Sequence, residues 1–566
     1  MSPKLFHFIS TLTCYFNTGI LFAQAPNWQW AKSAPGNSDH NGQCVTSDSN
    51  GFVYVAGEYF GTSVTFGNDT LMNTGPGGVF IVKYDSVGNV IWAVGGYAKG
   101  AAGFGQAANG ITIDANGNLV VVGEFSSDSL TFDNTVLLNS ATNSTFDIFL
   151  ARYDTSGNFL SAISEGGNDD DRAEGVASDA NGNIYVTGSF ESPTLTFGTS
   201  TLTNSSFAYF DLFVVKFDNN GNVVWAKKAG GTEHDDGASI CVDTWGDVYV
   251  TGWFRSPTIV FGSTTFANPS GWNYGYVVKY DSSGNILWAK RAGDACIHIT
   301  TDGMGYIFIT GEFSNTFTFD TITLNGSLAG LEMFVVKYDL SGNAVWARGS
   351  LGTAGMHNSG YGIATDPGGN VFVTGIFSSD SITLGNTVIY NFNNTGDYDL
   401  FVVKYDNSGN NLWARSAGGD AWDISYGISC DANGNAYITG YYQSTSIAFD
   451  STVLTSAGGL HIFTAKLGGS IITSNSLSIQ TSPQVLVYPN PISHSTAISF
   501  SLSKSQKISL SVYDVSGRSI SMIADATFES GENELVWNAD EVNAGIYFLH
   551  IKTENNSVVQ KLIVQK

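Results

Sequence analysis

Residues 360–414 read Gly360-Tyr-Gly-Ile-Ala-Thr-Asp366, a turn, Asn370-Val-Phe-Val-Thr-Gly-Ile-Phe377, a variable stretch, Leu400-Phe-Val-Val-Lys-Tyr-Asp406, a second turn, and Asn411-Leu-Trp-Ala414. Apolar, β-branched and aromatic runs between turn signals predict four strands, which we call A, B, C and D. Each turn is an Asp-x-x-Gly sequence. Its Asp side chain caps the turn and its Gly takes the left-handed conformation that closes a short hairpin.

The Asp-x-x-Gly turn repeats along most of the chain. Its thirteen aspartates are residues 48, 85, 114, 154, 179, 218, 243, 281, 302, 339, 366, 406 and 431. Strand B carries a Gly near its end at residues 57, 123, 188, 252, 311, 375 and 440, which indicates seven units. Four-stranded units repeated in this way are typical of a β-propeller, so we predict an all-β, seven-bladed propeller.

The count of turns predicts how the ring closes. Seven units with two hairpins each need fourteen turns, one more than the thirteen present. The last unit ends at its strand C, residues 462–467, while a strand D without a unit, Trp28-Gln-Trp-Ala-Lys32, stands near the N-terminus. We therefore predict that residues 28–32 pair with residues 462–467, which leaves no exposed sheet edge at the junction.

Strand polarity divides the connections between two faces of the ring. The short A–B and C–D turns lie on one face, which we call the short-turn face. The longer B–C and D–A connections lie on the other, which we call the long-loop face. Variable loops on a rigid scaffold usually carry binding sites, so we expect any functional site on the long-loop face.

The two ends of the chain differ from the repeats. Residues 1–23, with Lys4 before an apolar stretch, predict a signal peptide cleaved after Ala23, and we expect no transmembrane segment in the mature chain. Residues 24–467 are the predicted propeller and residues 468–484 a linker rich in Gly, Ser and Thr. Residues 485–566 show a different strand pattern, which predicts a small β-sandwich.

Composition narrows the class of partner. The formal net charge is −25, so nucleic acid, which needs a basic surface, is excluded as an expected partner. Four cysteines outside the signal peptide lie in or beside strands A: Cys44, Cys241, Cys296 and Cys430. We interpret them as small buried residues. Disulfides between adjacent blades, 44 with 430 or 241 with 296, are the alternative in an oxidising compartment.

The C-terminal motifs resemble a known family. They are Tyr488-Pro-Asn-Pro491, Val512-Tyr-Asp-Val-Ser-Gly-Arg518, Gly545-Ile-Tyr547 and the lysine-bearing end from Lys561 to Lys566. This segment is similar to the C-terminal sorting domain of the type IX (Por) secretion system of Bacteroidetes. The resemblance implies export by that machinery to the cell surface or the medium. It makes the following residues the sorting motif: Tyr488, Pro489, Asn490, Pro491, Gly517, Arg518, Gly545, Lys561 and Lys566.

The repeats resemble a second family. Gly182-Asn-Ile-Tyr-Val-Thr-Gly-Ser-Phe190, followed by Phe213-Val-Val-Lys-Phe-Asp218, is similar to the SBBP class of β-propeller repeats. This resemblance implies the fold and no particular activity, because propellers carry many functions.

Two D–A connections concentrate acidic residues. The loops entering blades 3 and 4 carry carboxylates at equivalent places: Asp169, Asp170, Asp171, Glu233, Asp235 and Asp236. Solvated loop acids, a divalent-cation site and catalytic acids are three interpretations of this pattern. Calcium is the one cofactor that the sequence suggests.

Other residues recur at one place in the unit and indicate structural roles. Strand D carries Trp at residues 30, 92, 225, 288, 346 and 413, which predicts packing between blades. Strand C carries Lys or Arg in all seven units, and we predict cross-strand pairing of these bases with Glu58, Glu124 and Glu312 of strand B.

The sequence contains no Gly-x-Ser-x-Gly elbow, no His-Glu-x-x-His and no phosphate-binding Gly loop ending in Lys-Ser/Thr. We therefore expect a non-enzymatic binding or adhesion module at or outside the cell surface, with an extracellular glycan or a surface protein as partner. A hydrolase or lyase acting on polysaccharide, with its site on the long-loop face, is one alternative. A structural surface component is the other.

Overall fold

A computed structural model describes residues 25–468, except 37, 74, 76, 101–104, 142–143, 304, 328, 394–395 and 457, and residues 485–565, except 489, 503–504, 515–517 and 554–556. The chain forms two compact units, Met1–Ile471 and Ile472–Lys566. The predicted signal peptide, and the predicted linker beyond Gly468, lie outside the described residues. No helix long and apolar enough to span a membrane occurs in the described ranges.

The described part of the first unit contains seven antiparallel sheets built on strands in the order A, B, C, D. Strands A are His40–Ser47, Gln106–Ile113, Asp171–Ser178, Asp235–Val242, Ala295–Thr301, Asn358–Thr365 and Asp423–Cys430. Strands B are Val53–Phe60, Leu119–Phe125, Ile184–Phe190, Val248–Phe254, Ile307–Ser314, Val371–Phe377 and Ala436–Tyr442. Strands C are Gly77–Tyr84, Asp147–Tyr153, Asp211–Phe217, Tyr274–Tyr280, Leu331–Tyr338, Asp399–Tyr405 and His461–Leu467. Strands D are Val90–Lys99, Phe159–Glu165, Val223–Ala229, Ile286–Arg291, Ala344–Leu351, Asn411–Ala417 and Trp28–Ser33.

A short outer hairpin follows each strand B. The seven hairpins are Ser63–Phe66 with Asp69–Met72, Ser129–Phe132 with Thr135–Leu138, Thr194–Phe197 with Ser200–Thr203, Thr258–Phe261 with Thr264–Ala267, Thr316–Phe319 with Ile322–Asn325, Ser381–Leu384 with Thr387–Tyr390, and Ser446–Phe449 with Thr452–Thr455.

The ring closes as predicted. The N-terminal strand pairs with the last strand C, with Trp28 opposite Leu467 and Ser33 opposite Phe463. Strands A of successive sheets contact one another around a closed cycle, in which strand A of the seventh sheet contacts that of the first. The sheets are therefore blades around a central channel, and the prediction of an all-β propeller is confirmed.

The twelve hairpin turns that are described in full have the predicted chemistry. In one of them, Asp114 Oδ1 accepts hydrogen bonds from the backbone N–H groups of Asn116 and Asn118, at 2.9 and 2.8 Å. Gly117 has a φ of 81°, the left-handed conformation in which a residue with a Cβ is strained. The same arrangement at the other turns explains why one local sequence recurs along the chain.

Tryptophans of strand D join neighbouring blades, as predicted. Trp92 lies opposite Lys83 in the sheet, and both donate to the carbonyl oxygen of Thr155 in the next blade, at 3.2 and 2.8 Å. Three more junctions have the same pair on one carbonyl: Trp30 and Lys466 on Ser86, Trp225 and Lys216 on Ser282, and Trp346 and Lys337 on Asn407.

The predicted pairing of strand C bases with strand B glutamates is wrong. Lys83 lies opposite Tyr54, whereas Glu58 lies opposite Val79, four residues further along the strand. The lysine therefore reaches the short-turn face and the next blade, and the glutamate is left at the other end of strand B.

The four cysteines are free thiols, so the alternative of inter-blade disulfides is wrong. Cys241 and Cys296 are buried, and Cys44 and Cys430 are half-buried. Burial raises the pKa of all four thiols, which suits small packing residues.

The second unit is a sandwich of two sheets. Its strands are Val485–Tyr488, Ser495–Leu502, Gln506–Asp514, Ser519–Phe528, Gly531–Asn538, Gly545–Thr553 and Ser557–Val564. The first, second and fifth of these form one sheet and the others form the second. Ile498 and Trp537 from one sheet share a buried cluster with Leu510 and Leu549 from the other. This core between two sheets is that of the predicted β-sandwich.

Candidate functional site

Every strand A contains a β-bulge at the same point. Its pairing with strand B skips one residue, and a bulge of this kind turns a side chain out of the regular alternation. The skipped residues are Gln43, Asn109, Glu174, Ala238, Ile297, Tyr361 and Tyr426. Each is the fifth residue before the Asp of the A–B turn.

The bulge residues line a cavity of about 470 Å³ in the channel. His298 and the aliphatic residues two positions beyond five of the bulges complete much of the lining. The rings of Tyr361 and Tyr426 stack there, with centroids 5.5 Å apart and planes 23° from parallel. The volume is within the range of small-molecule pockets.

A second set of channel residues lies closer to the long-loop face. Each of these residues follows a strand B glycine, and the strand A residues that pair with them complete what we call the mouth. The residues that follow the glycines are Glu58, Glu124, Ser189, Trp253, Glu312, Ile376 and Tyr441. Seven equivalent positions therefore carry five different residue types.

Blades 1 to 4 make one side of the mouth acidic. Burial raises the pKa of Glu58 to about 7, against the hydrogen bond from Gln43 at 3.3 Å. Burial also raises the pKa of Glu124 to about 7, against the attraction of Arg172, whose Nε lies 3.8 Å from Glu124 Oε2. Carboxyl groups with a pKa near neutrality are common at functional sites.

Asp236 extends this acidic side, and Glu174 lies next to it in the channel cavity. Burial raises the pKa of both carboxyl groups, and Glu124 and Asp236 raise that of Glu174 further. Arg172 opposes these shifts, and it also forms an ion pair with Asp170 at 2.9 Å. Several carboxyl groups thus share the field of one guanidinium.

Blades 6 and 7 make the other side aromatic. Ile376, Ile424 and Tyr441 form a buried cluster against which Tyr361, Tyr398, Tyr426 and Leu460 pack. Trp422 meets Tyr398 edge to face, with centroids 5.4 Å apart. His357 links this side to Glu312, because its Nε2 lies 2.9 Å from Glu312 Oε2 and its Nδ1 lies 3.3 Å from the Tyr398 hydroxyl.

Large aromatic side chains are exposed on connections of the same face. Phe207, Trp272 and Phe392 precede strands C of blades 3, 4 and 6, and they are 83%, 78% and 67% exposed. In these three connections a buried Asn follows the outer hairpin, and its amide donates to a carbonyl of strand B, such as Asn204 to Phe190 at 2.8 Å. These contacts hold the loops that present the aromatic side chains.

In the acidic loops of blades 3 and 4, one carboxyl group of each loop has a structural role. Asp171 and Asp235 are buried at the start of their strands A, and each accepts a hydrogen bond from a serine hydroxyl, Ser192 at 2.8 Å and Ser256 at 2.7 Å. Burial raises the pKa of Asp171 to about 8 and that of Asp235 to about 6. These two carboxyl groups therefore fasten the D–A loop to the end of strand B.

The other predicted ligands do not converge with them. Asp170 pairs with Arg172, and Asp236 lies at the mouth. Asp169 and Glu233 stand in the loops, where their backbone N–H groups bind the same two serines. No three His, Cys, Asp or Glu side chains within the described ranges form a group that holds a metal ion. Calcium binding by these loops stays a prediction.

Sequence reasoning missed the bulge residues. The signal was present, since the fifth residue before the turn Asp is Gln, Asn, Glu, Ala, Ile or Tyr, while Gly follows it in four units. A variable position inside a repeated strand indicates a residue that the fold does not constrain.

The sorting motif residues help to join the last strand to the sandwich. The Asn490 amide donates to the Lys561 carbonyl at 2.9 Å, and its Oδ1 accepts from the Ile563 N–H at 2.9 Å. Arg518 Nε lies 3.0 Å from Asp514 Oδ2, and Gly545 pairs with Val564. Pro489, Gly517 and Lys566 lie outside the described residues.

Comparison with known proteins identifies the second unit. Residues 486–565 match the family described as secretion system C-terminal sorting domain. This confirms the resemblance stated from the motifs and indicates type IX export to the cell surface or the medium, which implies handling by the type IX secretion machinery.

The chain is also similar to two curated proteins, one of which is a repeat protein. The chain is 24% identical over 518 residues to an uncharacterized WD repeat-containing protein of Acanthamoeba polyphaga mimivirus, covering 74% of this chain and 36% of that protein. It is 24% identical over 324 residues to the regulatory protein FlaEY of Caulobacter vibrioides, covering 52% and 32%. The chain spans about a third of the length of these relatives.

Sqt1 from Chaetomium thermophilum aligns with a TM-score of 0.35 and 9% identity over 78% of this chain and 99% of its own. The sorting-domain match and the closed ring of four-stranded sheets make this protein a type IX-exported repeat protein with a propeller fold.

Proposed function

We propose that this protein is a non-enzymatic binding or adhesion module that captures extracellular glycans on the long-loop face of its propeller. In this proposal, a signal peptide at residues 1–23 and the sorting domain at residues 485–566 deliver residues 24–467 to the outside of the cell. Residues 468–484 act as the linker.

One observation carries the proposal: the repeat is nearly regular where the fold needs it and irregular at the mouth and its loops. Turn aspartates, strand D tryptophans and strand C bases recur around the ring. The equivalent mouth positions hold acids in blades 1, 2 and 5 and a tyrosine in blade 7. Irregularity confined to one face supports a role there that the scaffold does not require.

The chemistry of this face supports a glycan as ligand. Exposed aromatic rings stack on the apolar faces of sugars, and carboxyl and amide groups hydrogen-bond their hydroxyls. Phe207, Trp272, Phe392 and Trp422 supply the rings around an acidic and amide-bearing mouth. Net negative charge disfavours anionic polysaccharides, so we propose a neutral glycan.

A glycan array probed with the whole exported chain tests this function. We expect Trp272→Ala to lower the affinity for the glycans that bind on the array by roughly tenfold. An exposed ring at a binding centre contributes on the order of 1–2 kcal/mol. Trp245→Ala is the matched control, since Trp245 is 59% exposed on the short-turn face of the same blade. Binding to no glycan, or equal loss in both variants, would contradict the proposal.

A glycan-cleaving activity is the second candidate. Glu58 and Glu124 stand at equivalent positions of neighbouring blades, and the pKa of each is near 7, which suits a general acid. Product release from the glycans that bind would be measured with the parent chain and with Glu124→Gln. If the variant loses cleavage and keeps binding, the result would favour an enzyme. If the parent chain cleaves no glycan, the result would favour the binding function.

A further inference from the structure

The channel cavity has a lining that the glycan-binding face does not use. Glu174 lines it from blade 3, and Tyr361 and Tyr426 line it from blades 6 and 7, on the other side of the seven-membered cycle. One carboxyl group therefore shares a cavity of about 470 Å³ with two stacked aromatic rings.

Glu174 makes no ion pair among the described residues, although the more distant charge of Arg172 opposes the rise in its pKa. In the described part of the chain, Arg172 makes its ion pairs with Asp170 and Glu124, and none is made with Glu174. Burial and the charges of Glu124 and Asp236 raise the pKa of Glu174. A carboxylate shielded from water is costly unless it takes up a proton or gains a cation.

The rest of the lining favours a cation that also has apolar surface. The faces of Tyr361 and Tyr426 attract cations electrostatically. Val45, Ile111, Val176, Ile240 and Ile428 also border the cavity. Burial lowers the pKa of His298 to about 4, so its ring is neutral at physiological pH, and its Nδ1 has no hydrogen-bond partner among the described residues. A hydrated metal ion gains little from such walls, which offer it one carboxylate.

We infer that the channel cavity binds a small organic ammonium ion, with Glu174 as its charge partner and the Tyr361–Tyr426 stack as its aromatic wall. The apolar substituents of the cation contact the aliphatic residues, and a donor group of the ligand reaches His298 or Gln43. This site lies inside the channel and does not depend on glycan binding at the outer loops.

Calorimetric titration of the whole chain with choline, and with its neutral carbon isostere, tests the inference. We expect choline to bind at least about tenfold more tightly than the isostere, since only choline carries the charge. Glu174→Gln is expected to lower the affinity for choline by about tenfold and to leave the affinity for the isostere unchanged. Because protonation of Glu174 competes with the cation, choline affinity should rise with pH.

Three further variants separate the site from general effects. Tyr361→Phe keeps the ring face and should keep choline affinity, whereas Tyr361→Leu should lower it several-fold. Asp133→Asn removes one negative charge from the exposed turn of an outer hairpin, where a φ of 52° suits Asn, and should leave affinity unchanged. Melting curves verify that each variant is folded. Equal affinity for both probes, binding of neither, or full choline affinity in Glu174→Gln would overturn the inference.

Discussion

The two faces of the propeller use the same residue types for opposite purposes. On the short-turn face, Asp recurs in every turn, and Trp and Lys from one blade bind a carbonyl of the next. On the long-loop face, equivalent positions differ from blade to blade. The comparison teaches that repetition marks what holds the ring together, whereas loss of repetition marks what the ring presents.

Aspartate shows the difference most directly. The side-chain amides of Asn158 and Asn222 lower the pKa of Asp154 and Asp218 in their exposed turns. On the long-loop face, burial raises the pKa of Asp171 and of Asp423, each to about 8. Solvent and N–H donors favour the carboxylate at one face, and removal from solvent favours the neutral acid at the other.

Removal of the closing strand should have the largest effect on this comparison. Deleting residues 25–33 removes Trp28 and Trp30 from the core and exposes the edge of strand His461–Leu467. We expect loss of the folded monomer and aggregation, measured by size-exclusion chromatography and circular dichroism. Gln29→Ala, at an exposed position of the same strand, is the control. A soluble and cooperative deletion variant would show that the closure is dispensable.

Loss of one tryptophan at a blade junction should have the next largest effect. Trp225→Ala opens a cavity between blades and removes a hydrogen bond to Ser282, so we expect a loss of about 3–5 kcal/mol in unfolding free energy. The exposed Trp245→Ala variant should stay within about 0.5 kcal/mol of the parent. Denaturant titration measures both. Similar costs for the two variants would argue against the inter-blade role.

The two faces should also titrate in opposite senses. Because the folded-state pKa of Asp171 and Asp423 is raised above the ordinary value of about 4, the stability that their protonation supplies is present below about pH 4 and lost as pH rises toward 8. Because the pKa of Asp154 and Asp218 is lowered, their contribution is present above about pH 4 and lost as pH falls below it.

We therefore expect the melting temperature to be highest in mild acid and to decline toward pH 8. The double variant Asp171→Asn and Asp423→Asn should flatten this decline, while Asp420→Asn, at an exposed loop position beside the same blade, should not. A melting temperature that rises steadily from pH 5 to pH 8 in the parent chain would refute the proposed difference between the faces.

Calcium should have the smallest effect. Asp171 and Asp235 already accept hydrogen bonds, which leaves the other loop carboxylates, such as Asp169 and Glu233, as ligands. We expect millimolar calcium to raise the melting temperature by no more than a few degrees over chelator, by mass action on the native state. The double variant Asp169→Asn and Glu233→Gln should abolish the rise. Identical melting curves with calcium and with chelator would show that these loops bind no calcium and that their acids are solvated.

Much of the fold was predictable because its signals are local. The Asp-x-x-Gly turns, the strand B glycines and the strand D tryptophans all act within a few residues or repeat at one place in the unit. The missing fourteenth turn was enough to predict the closing strand. The site was less predictable, since clustered acids in the sequence indicate Asp170, Asp171 and Asp236, whereas nothing local shows that the bulge residues face the channel.

The sequence by itself determined the strands, their turns, the ring closure and the sorting domain, because turn chemistry and side-chain alternation are properties of short segments. Only the tertiary structure decided where each side chain points. Pairing register set Lys83 opposite Tyr54 and sent it to the next blade, and a skipped residue in each strand A turned Glu174 and Tyr361 into the channel. Register and bulges depend on two strands at once, and the channel depends on seven, so neither can be obtained from one segment alone.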